Sequence, residues 1–139
     1  MFTIAVCDDD MQERMQEVQI VKNIFSQKEL EAGIEEFQTG QHFLDVLHRV
    51  PYDIVLLDIQ MGEVSGFTLA EELYKITGGE NIIFVSSMEN LVFESIHFRP
   101  FRFVRKSHLE EELTEAVESW IQQNTKTECL EFDETGGVT

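Results

Sequence analysis

The run YDIVLLDI (52–59) constrains the fold of this chain more than any other stretch. It is almost uninterrupted in apolar residues, too short to cross a membrane, and lacks the three-and-four spacing of a helix face. Such a run suits a central strand of a parallel sheet, covered on both faces. FTIAVC (2–7) and NIIFVSS (81–87) have the same character, and GIEEFQ (33–38) and FRFVRK (101–106) are weaker strands. Helical periods separate them. Met11, Met15, Val18, Val21 or Lys22, and Phe25 mark one face, and GQHFLDVLHR (40–49) a short helix with Phe43, Leu44 and Leu47 inward. SGFTLAEELYKITGG (65–79) ends in glycines, and a helix from about Glu89 to Phe98 stops before Pro100. Leu109, Leu113, Ala116, Val117, Trp120 and Ile121 form the last stripe, with Ser107 and Glu110 at capping-box spacing. Five βα units in succession predict an α/β fold: a five-stranded parallel sheet with helices on both faces.

Composition narrows the partners. The 139 residues suit one domain plus a short extension. A net charge of −17 argues against direct nucleic-acid binding and against docking on anionic membranes. No segment reaches the roughly 18 apolar residues of a membrane span, and no basic stretch precedes FTIAVC as in a signal peptide. Cys7 and Cys129 lie far apart and have no metal-ligand spacing, so they read as reduced thiols of a cytoplasmic protein.

A sheet of this kind places its chemistry at the carboxyl ends of the strands. There the first strand supplies Asp8 and Asp9, the third Asp58, the fourth Ser86 and Ser87, and the fifth Lys106. Two carboxylates about 4 Å apart repel by about 4 kcal/mol at an effective dielectric of about 20. A divalent cation relieves that repulsion, and hard oxygen donors suit Mg²⁺. Asp10 is then free to cap the following helix. Beside a cation, Asp58 can attack a phosphoryl group. The charge on the transferred oxygens is met by the cation, by Lys106 and by the Ser86 hydroxyl. Each of these residues alone reads as a turn former, a cap or a solvated charge. The set is specific because four strand ends each deliver the residue type the chemistry needs.

IAVCDDD, YDIVLLDIQM, the glycine of VSGFTLAEEL, IIFVSS and FRFVRK together resemble the response-regulator receiver domains, the CheY-like family, over about residues 2–122. The resemblance implies strand order 2-1-3-4-5. It implies Asp58 as phosphoacceptor, Asp9 as a direct Mg²⁺ ligand, Asp8 acting through water, and the Gln60 carbonyl as a further ligand. It also implies Ser86 as switch hydroxyl, Lys106 as the active-site lysine and Phe103 as switch aromatic. FQTG with FL, and RPFRFVRKSHLEEELTEAV, resemble the LytTR-type, AgrA-like subgroup. The expected organisation is a receiver over 1–124, with 125–139 as linker and the first strand of a LytTR-type DNA-binding domain absent here. The implied partners are a sensor histidine kinase, a second copy of the phosphorylated chain, and DNA only through that further domain. The implied place is the cytoplasm, with no membrane contact and no enzymatic turnover beyond self-phosphorylation and self-dephosphorylation.

The chain departs from the family pattern at Ser107, where a proline usually follows the lysine, and at Gly62, also usually proline. The first makes a cis bond after Lys106 unexpected; the second predicts a freer loop after Asp58. Phe103 carries no hydroxyl, so switching there relies on ring packing. A phosphatase with an aspartate nucleophile needs a second Asp two positions on, where Gln60 stands. A flavodoxin needs a hydroxyl- and glycine-rich phosphate loop instead of CDDDMQER. The alternative that remains is an interaction module on the same fold that works without phosphorylation. Four of the ten Lys and Arg residues fall within 99–106, so Arg99, Arg102 and Arg105 either offset an acidic surface or form a docking face.

Overall fold

The computed structural model describes the backbone of residues 1–135 and the side chains of residues 1–125. Five strands, β1 (Phe2–Cys7), β2 (Ala32–Phe37), β3 (Ile54–Leu57), β4 (Ile82–Ser86) and β5 (Arg102–Arg105), form one parallel sheet in the order β2-β1-β3-β4-β5. The expected architecture and order are both present. Side chains alternate across each strand and so build two cores. Ile4, Val6, Ile54, Leu56, Ile83, Val85 and Val104 pack under α1 (Met11–Gln27) and α5 (Leu109–Thr135). Ala5, Cys7, Val55, Leu57, Ile82 and Phe84 pack under α2 (Gly40–Val46) and α3 (Gly66–Thr77).

Local chemistry sets the helix ends. Asp10, Thr39 and Ser65 cap α1, α2 and α3, their side chains accepting from Glu13, His42 and Phe67 N–H groups. Gly78 closes α3 at φ +76°, a left-handed geometry that glycine takes without strain. Gly66 has a different reason: a Cβ there would lie 2.1 Å from the Asp58 carbonyl oxygen. The start of α3 can therefore sit directly on the β3 end only without a side chain.

Several expectations are corrected. Met11 and Met15 are exposed; the buried face of α1 is Glu17, Val18, Val21, Ile24 and Phe25. The helix expected over 89–98 is broken into a 3₁₀ turn (Glu89–Leu91), a four-residue α4 (Val92–Ser95) and a second 3₁₀ turn (Ile96–Phe98). Arg99 ends it at φ +47°. Ser107 sits within a 3₁₀ turn (Lys106–His108), and its hydroxyl meets Glu89 and His108, so the capping box does not form. The strand expected near CLEF is helical backbone instead, because no glycine or proline interrupts α5 before Gly136. The side chains of the expected linker and output-domain strand lie outside the described residues. Among the described residues the peptide bonds are trans, Lys106–Ser107 included. Gly62 adopts φ +70°, a backbone geometry open to glycine and strained for most other residues.

Candidate functional site

Strand parity decides which strand-end residues meet. Asp8, Asp58 and Lys106 continue the alternation of Val6, Leu56 and Val104, and so emerge on the α1–α5 side. Ser86 continues Ile82 and Phe84 on the other side, where Phe103 also packs, 6.3 Å from the Phe84 ring. The structure thus brings Asp8, Asp9, Asp58 and Lys106 together. The Lys106 ammonium is 2.9 Å from Asp8 Oδ2 and 3.2 Å from Asp58 Oδ2, and it also contacts Glu13. Gln60 donates its backbone N–H to Asp58 Oδ1 at 3.3 Å. The Ser86 hydroxyl, in contrast, accepts from the Met88 N–H at 3.0 Å. No hydrogen bond joins Ser86 to Asp58 or Lys106 among the described residues.

Arg14 holds the loop that carries the acids. Its guanidinium donates to the Asp8 carbonyl at 2.8 Å and to Glu36 at 3.1 Å, tying the β1–α1 turn to β2. Asp8 Oδ1 in turn accepts the Asp10 N–H at 2.9 Å.

One ammonium does not balance this much acid. Burial pushes the Asp58 carboxyl up to about 7, with Lys106 opposing the shift and Asp8 adding to it. Burial lowers the Lys106 pKa, but hydrogen bonds to Glu13 and Asp8 and the charge of Asp58 outweigh it and hold the ammonium above its ordinary value. Asp8, Asp9 and Asp58 each offer an oxygen, all within 4.8 Å of one another. Asp8 Oδ2 is buried, with the Lys106 ammonium 2.9 Å away. Three hard oxygen donors around one point, with Asp9 exposed at the mouth, fit a divalent cation of the Mg²⁺ kind.

Two residues at the site escaped sequence reasoning. Glu13 and Glu17 follow Asp9 at spacings of four, so α1 turns both toward the strand ends. Glu17 is fully buried, and its carboxyl is pushed up to about 10 by burial first, then by the neighbouring Asp8 carboxyl. The available signal was the spacing Glu17–Val21–Phe25, which places a carboxyl in the apolar stripe. Of the three arginines near β5, Arg102 pairs with Glu115 at 3.2 Å and stacks on the Phe101 ring. Arg105 pairs with Glu112 and lies 3.8 Å from Glu89. Both are held by acids of their own chain, as the charge-offset reading expects.

Together, a parallel sheet in this order and an acid cluster facing a lysine across its carboxyl end define a receiver-type architecture. The chain belongs to the response regulator receiver domain family, whose sequence profile matches residues 4–118. A relative is the sensory transduction protein LytR of Staphylococcus epidermidis, 24% identical over 91 residues. That match covers 63% of this chain and 36% of LytR, so the chain spans about a third of the length of that regulator. Among solved structures, full-length FixJ from B. japonicum superposes with a TM-score of 0.73 at 23% identity, covering 95% of this chain and 64% of that one. The Thermotoga maritima regulator TrrA superposes with a TM-score of 0.71 at 24% identity, covering 86% and 99%. A Burkholderia pseudomallei response regulator gives 0.67 at 13% identity, covering 94% and 75%. These likenesses establish the receiver fold. No helix among the described residues is long and apolar enough to cross a membrane.

Proposed function

We propose that this receiver accepts a phosphoryl group on Asp58 from a sensor histidine kinase and passes the change to an attached output domain. The observation that carries the reading is the meeting of Asp8, Asp9 and Asp58 around one point with Lys106 on Asp58. An Asp58 oxygen attacks phosphorus, the P–N bond to the kinase histidine breaks, and the electron pair leaves with the imidazole nitrogen. Asp8, Asp9, Asp58 and the Gln60 carbonyl would hold Mg²⁺, which would supply positive charge to the carboxylates and the transferred oxygens. Lys106 has only to shift from Asp58 Oδ2 onto a phosphoryl oxygen beside it. Ser86 reaches another by giving up its bond to Met88. Phe103 lies on the same side of the sheet and follows that movement by ring packing against Phe84.

The TrrA structure is a complex with Mg(2+)-BeF, and the Burkholderia structure holds a phosphorylated aspartic acid and a calcium ion. Both facts concern those proteins and support the same chemistry here. The output we propose is a LytTR-type DNA-binding domain, supported by the LytR relationship. The phosphorylated chain pairs with a second copy through α4, β5 and α5, where Phe93 and Ile96 stand exposed. DNA is contacted only by the output domain. The setting is cytoplasmic, and no turnover occurs beyond self-phosphorylation and self-dephosphorylation.

The test is intact mass after incubation with Mg²⁺ and acetyl phosphate. One added phosphoryl group, lost in Asp58→Asn, is the expected result. An unmodified chain under these conditions favours an interaction module that works without phosphorylation. Free phosphate released far beyond stoichiometric labelling points to an enzyme.

A further inference from the structure

Arg14 touches none of the reacting atoms, yet among the described residues it is the only cationic side chain bonded to the main chain of the acidic turn. It ends the first turn of α1, and its side chain is only 12% exposed. Nη1 donates to the Asp8 carbonyl at 2.8 Å, and Nε donates to Glu36 at 3.1 Å. The Asp8 N–H donates to the Phe37 carbonyl at 3.1 Å. Both main-chain groups of Asp8 are therefore tied to the end of β2, one directly and one through Arg14. A planar guanidinium carries several N–H groups in a fixed fork and can serve two acceptors at once, whereas a lysine ammonium is a point charge. The residue that depends on this brace is Asp9. The Asp8 carbonyl and the Asp9 Cα share one planar peptide, so holding the carbonyl fixes where the Asp9 side chain starts. That side chain is exposed and makes no hydrogen bond or ion pair among the described residues. Its oxygen nevertheless lies within 4.8 Å of oxygens of Asp8 and Asp58. Like charges repel, so the backbone, not a side-chain partner, keeps Asp9 there.

We infer that Arg14 is a positioning residue for the cation site: its grip on the Asp8–Asp9 peptide keeps Asp9 beside Asp8 and Asp58 at the strand ends. The inference rests on the proposed reading of those aspartates as cation holders. Charge and geometry act in opposite directions here, which makes the role separable. As a positive charge near the site, Arg14 disfavours a divalent cation. As a brace, it favours one, because three oxygen donors stay gathered around one point. Removing the side chain therefore tightens Mg²⁺ binding if charge dominates and weakens it if the brace does. Groups that orient the ligands of a metal typically change its affinity by about 10–100-fold.

The test compares Arg14→Met, which removes both bonds and the charge, with Arg14→Lys, which keeps the charge and loses the fork. Each is titrated calorimetrically with MgCl₂ at a temperature where melting curves show it folded. The inference expects Met to bind Mg²⁺ about tenfold or more weakly than the parent, and Lys at least about threefold more weakly. Labelling by acetyl phosphate gives a second readout. The Met variant is expected to need correspondingly more Mg²⁺ for its half-maximal rate, and to come within about threefold of the parent rate at saturating Mg²⁺. Met binding as tightly as the parent, or more tightly, overturns the role and leaves Arg14 as a charge. Lys equal to the parent also overturns it, because the charge alone then suffices. Labelling by Met that stays low at saturating Mg²⁺ overturns it as well, since the loss then lies outside the cation site. Should Met fail to fold, Lys against the parent decides by the same criterion. A parent chain that does not bind Mg²⁺ at millimolar concentrations overturns the proposed function and this inference with it, a result distinguished from the others because the parent itself fails.

Discussion

Lys106 is pulled three ways, toward Asp8, Asp58 and Glu13. Only the pull of Asp58 serves phosphoryl transfer. Glu13 stands at the mouth of the cleft, where its charge also repels an incoming dianion. Glu13→Gln is therefore expected to speed labelling by acetyl phosphate about two- to fivefold, the size of a partly exposed charge contact. Rapid-quench labelling measures it, and a slower variant would show that Glu13 assists instead. Glu17 makes a second prediction, on stability. Its folded-state pKa is about 10 against an ordinary 4.5. Between those values the folded chain holds a proton that the unfolded chain has lost, so stability falls as pH rises, by at most about 1.4 kcal/mol per pH unit. Asp58, raised to about 7, acts with the same sign but is spent above that pH. Urea midpoints without Mg²⁺ between about pH 7.5 and pH 9 thus fall in the parent and stay flatter in Glu17→Gln. Equal slopes in the two would contradict the assignment. At this scale the sequence was legible for Asp8, Asp9, Asp58 and Lys106, because each ends an apolar run. Glu13 and Glu17 were not, because a charged residue on a helix reads as solvated until the strand ends are known to face it.

The elements place these groups through backbone contact. Helix α3 starts against the Asp58 carbonyl, where Gly66 leaves no room for a Cβ. Gly66→Ala is expected to push the β3 end and Asp58 away from Lys106. Overpacking of this kind typically costs about 1–3 kcal/mol. Acetyl-phosphate labelling is expected to drop more than thermal stability alone explains, read at a temperature where the variant is fully folded. Unchanged labelling would show that the Asp58 position tolerates the shift. Elements with strong periodicity were readable: the five strands, α3, and the stripe of α5 through Ile121. The first stripe was misassigned at Met11 and Met15, because methionine in the opening turn fits the spacing as well as a buried residue does. The segment over 89–98 kept its helical pattern but not its continuity. Ser95 bonds back to the Val92 carbonyl at 2.6 Å, and the turn before Pro100 needs Arg99 in left-handed geometry. Neither demand shows as a break in hydrophobic spacing.

For the whole molecule, alternation of strand and helix was enough to specify the sheet, since parallel strands need crossovers and short crossovers allow few topologies. Surface pairing was less readable. Arg102 and Arg105 looked available, but their positions on β5 face Glu115 and Glu112 of α5. The exposed apolar pair beside them, Phe93 and Ile96, is the better anchor for the proposed pairing of phosphorylated copies. Phe93→Ser is expected to weaken that dimer about tenfold, in the range of a lost aromatic anchor, and to leave the labelling rate unchanged. Light scattering with and without beryllofluoride reads it; an unaffected dimer would move the interface elsewhere. The central claim is narrower than any of these. The chain carries 27 Asp and Glu residues, and the fold makes one of them a phosphoacceptor. The direct measurement is borohydride trapping of the acyl phosphate after labelling, followed by peptide mass spectrometry. A single modification at Asp58 that requires Mg²⁺ is the predicted result; label scattered over other carboxylates, or labelling indifferent to Mg²⁺, would contradict the account.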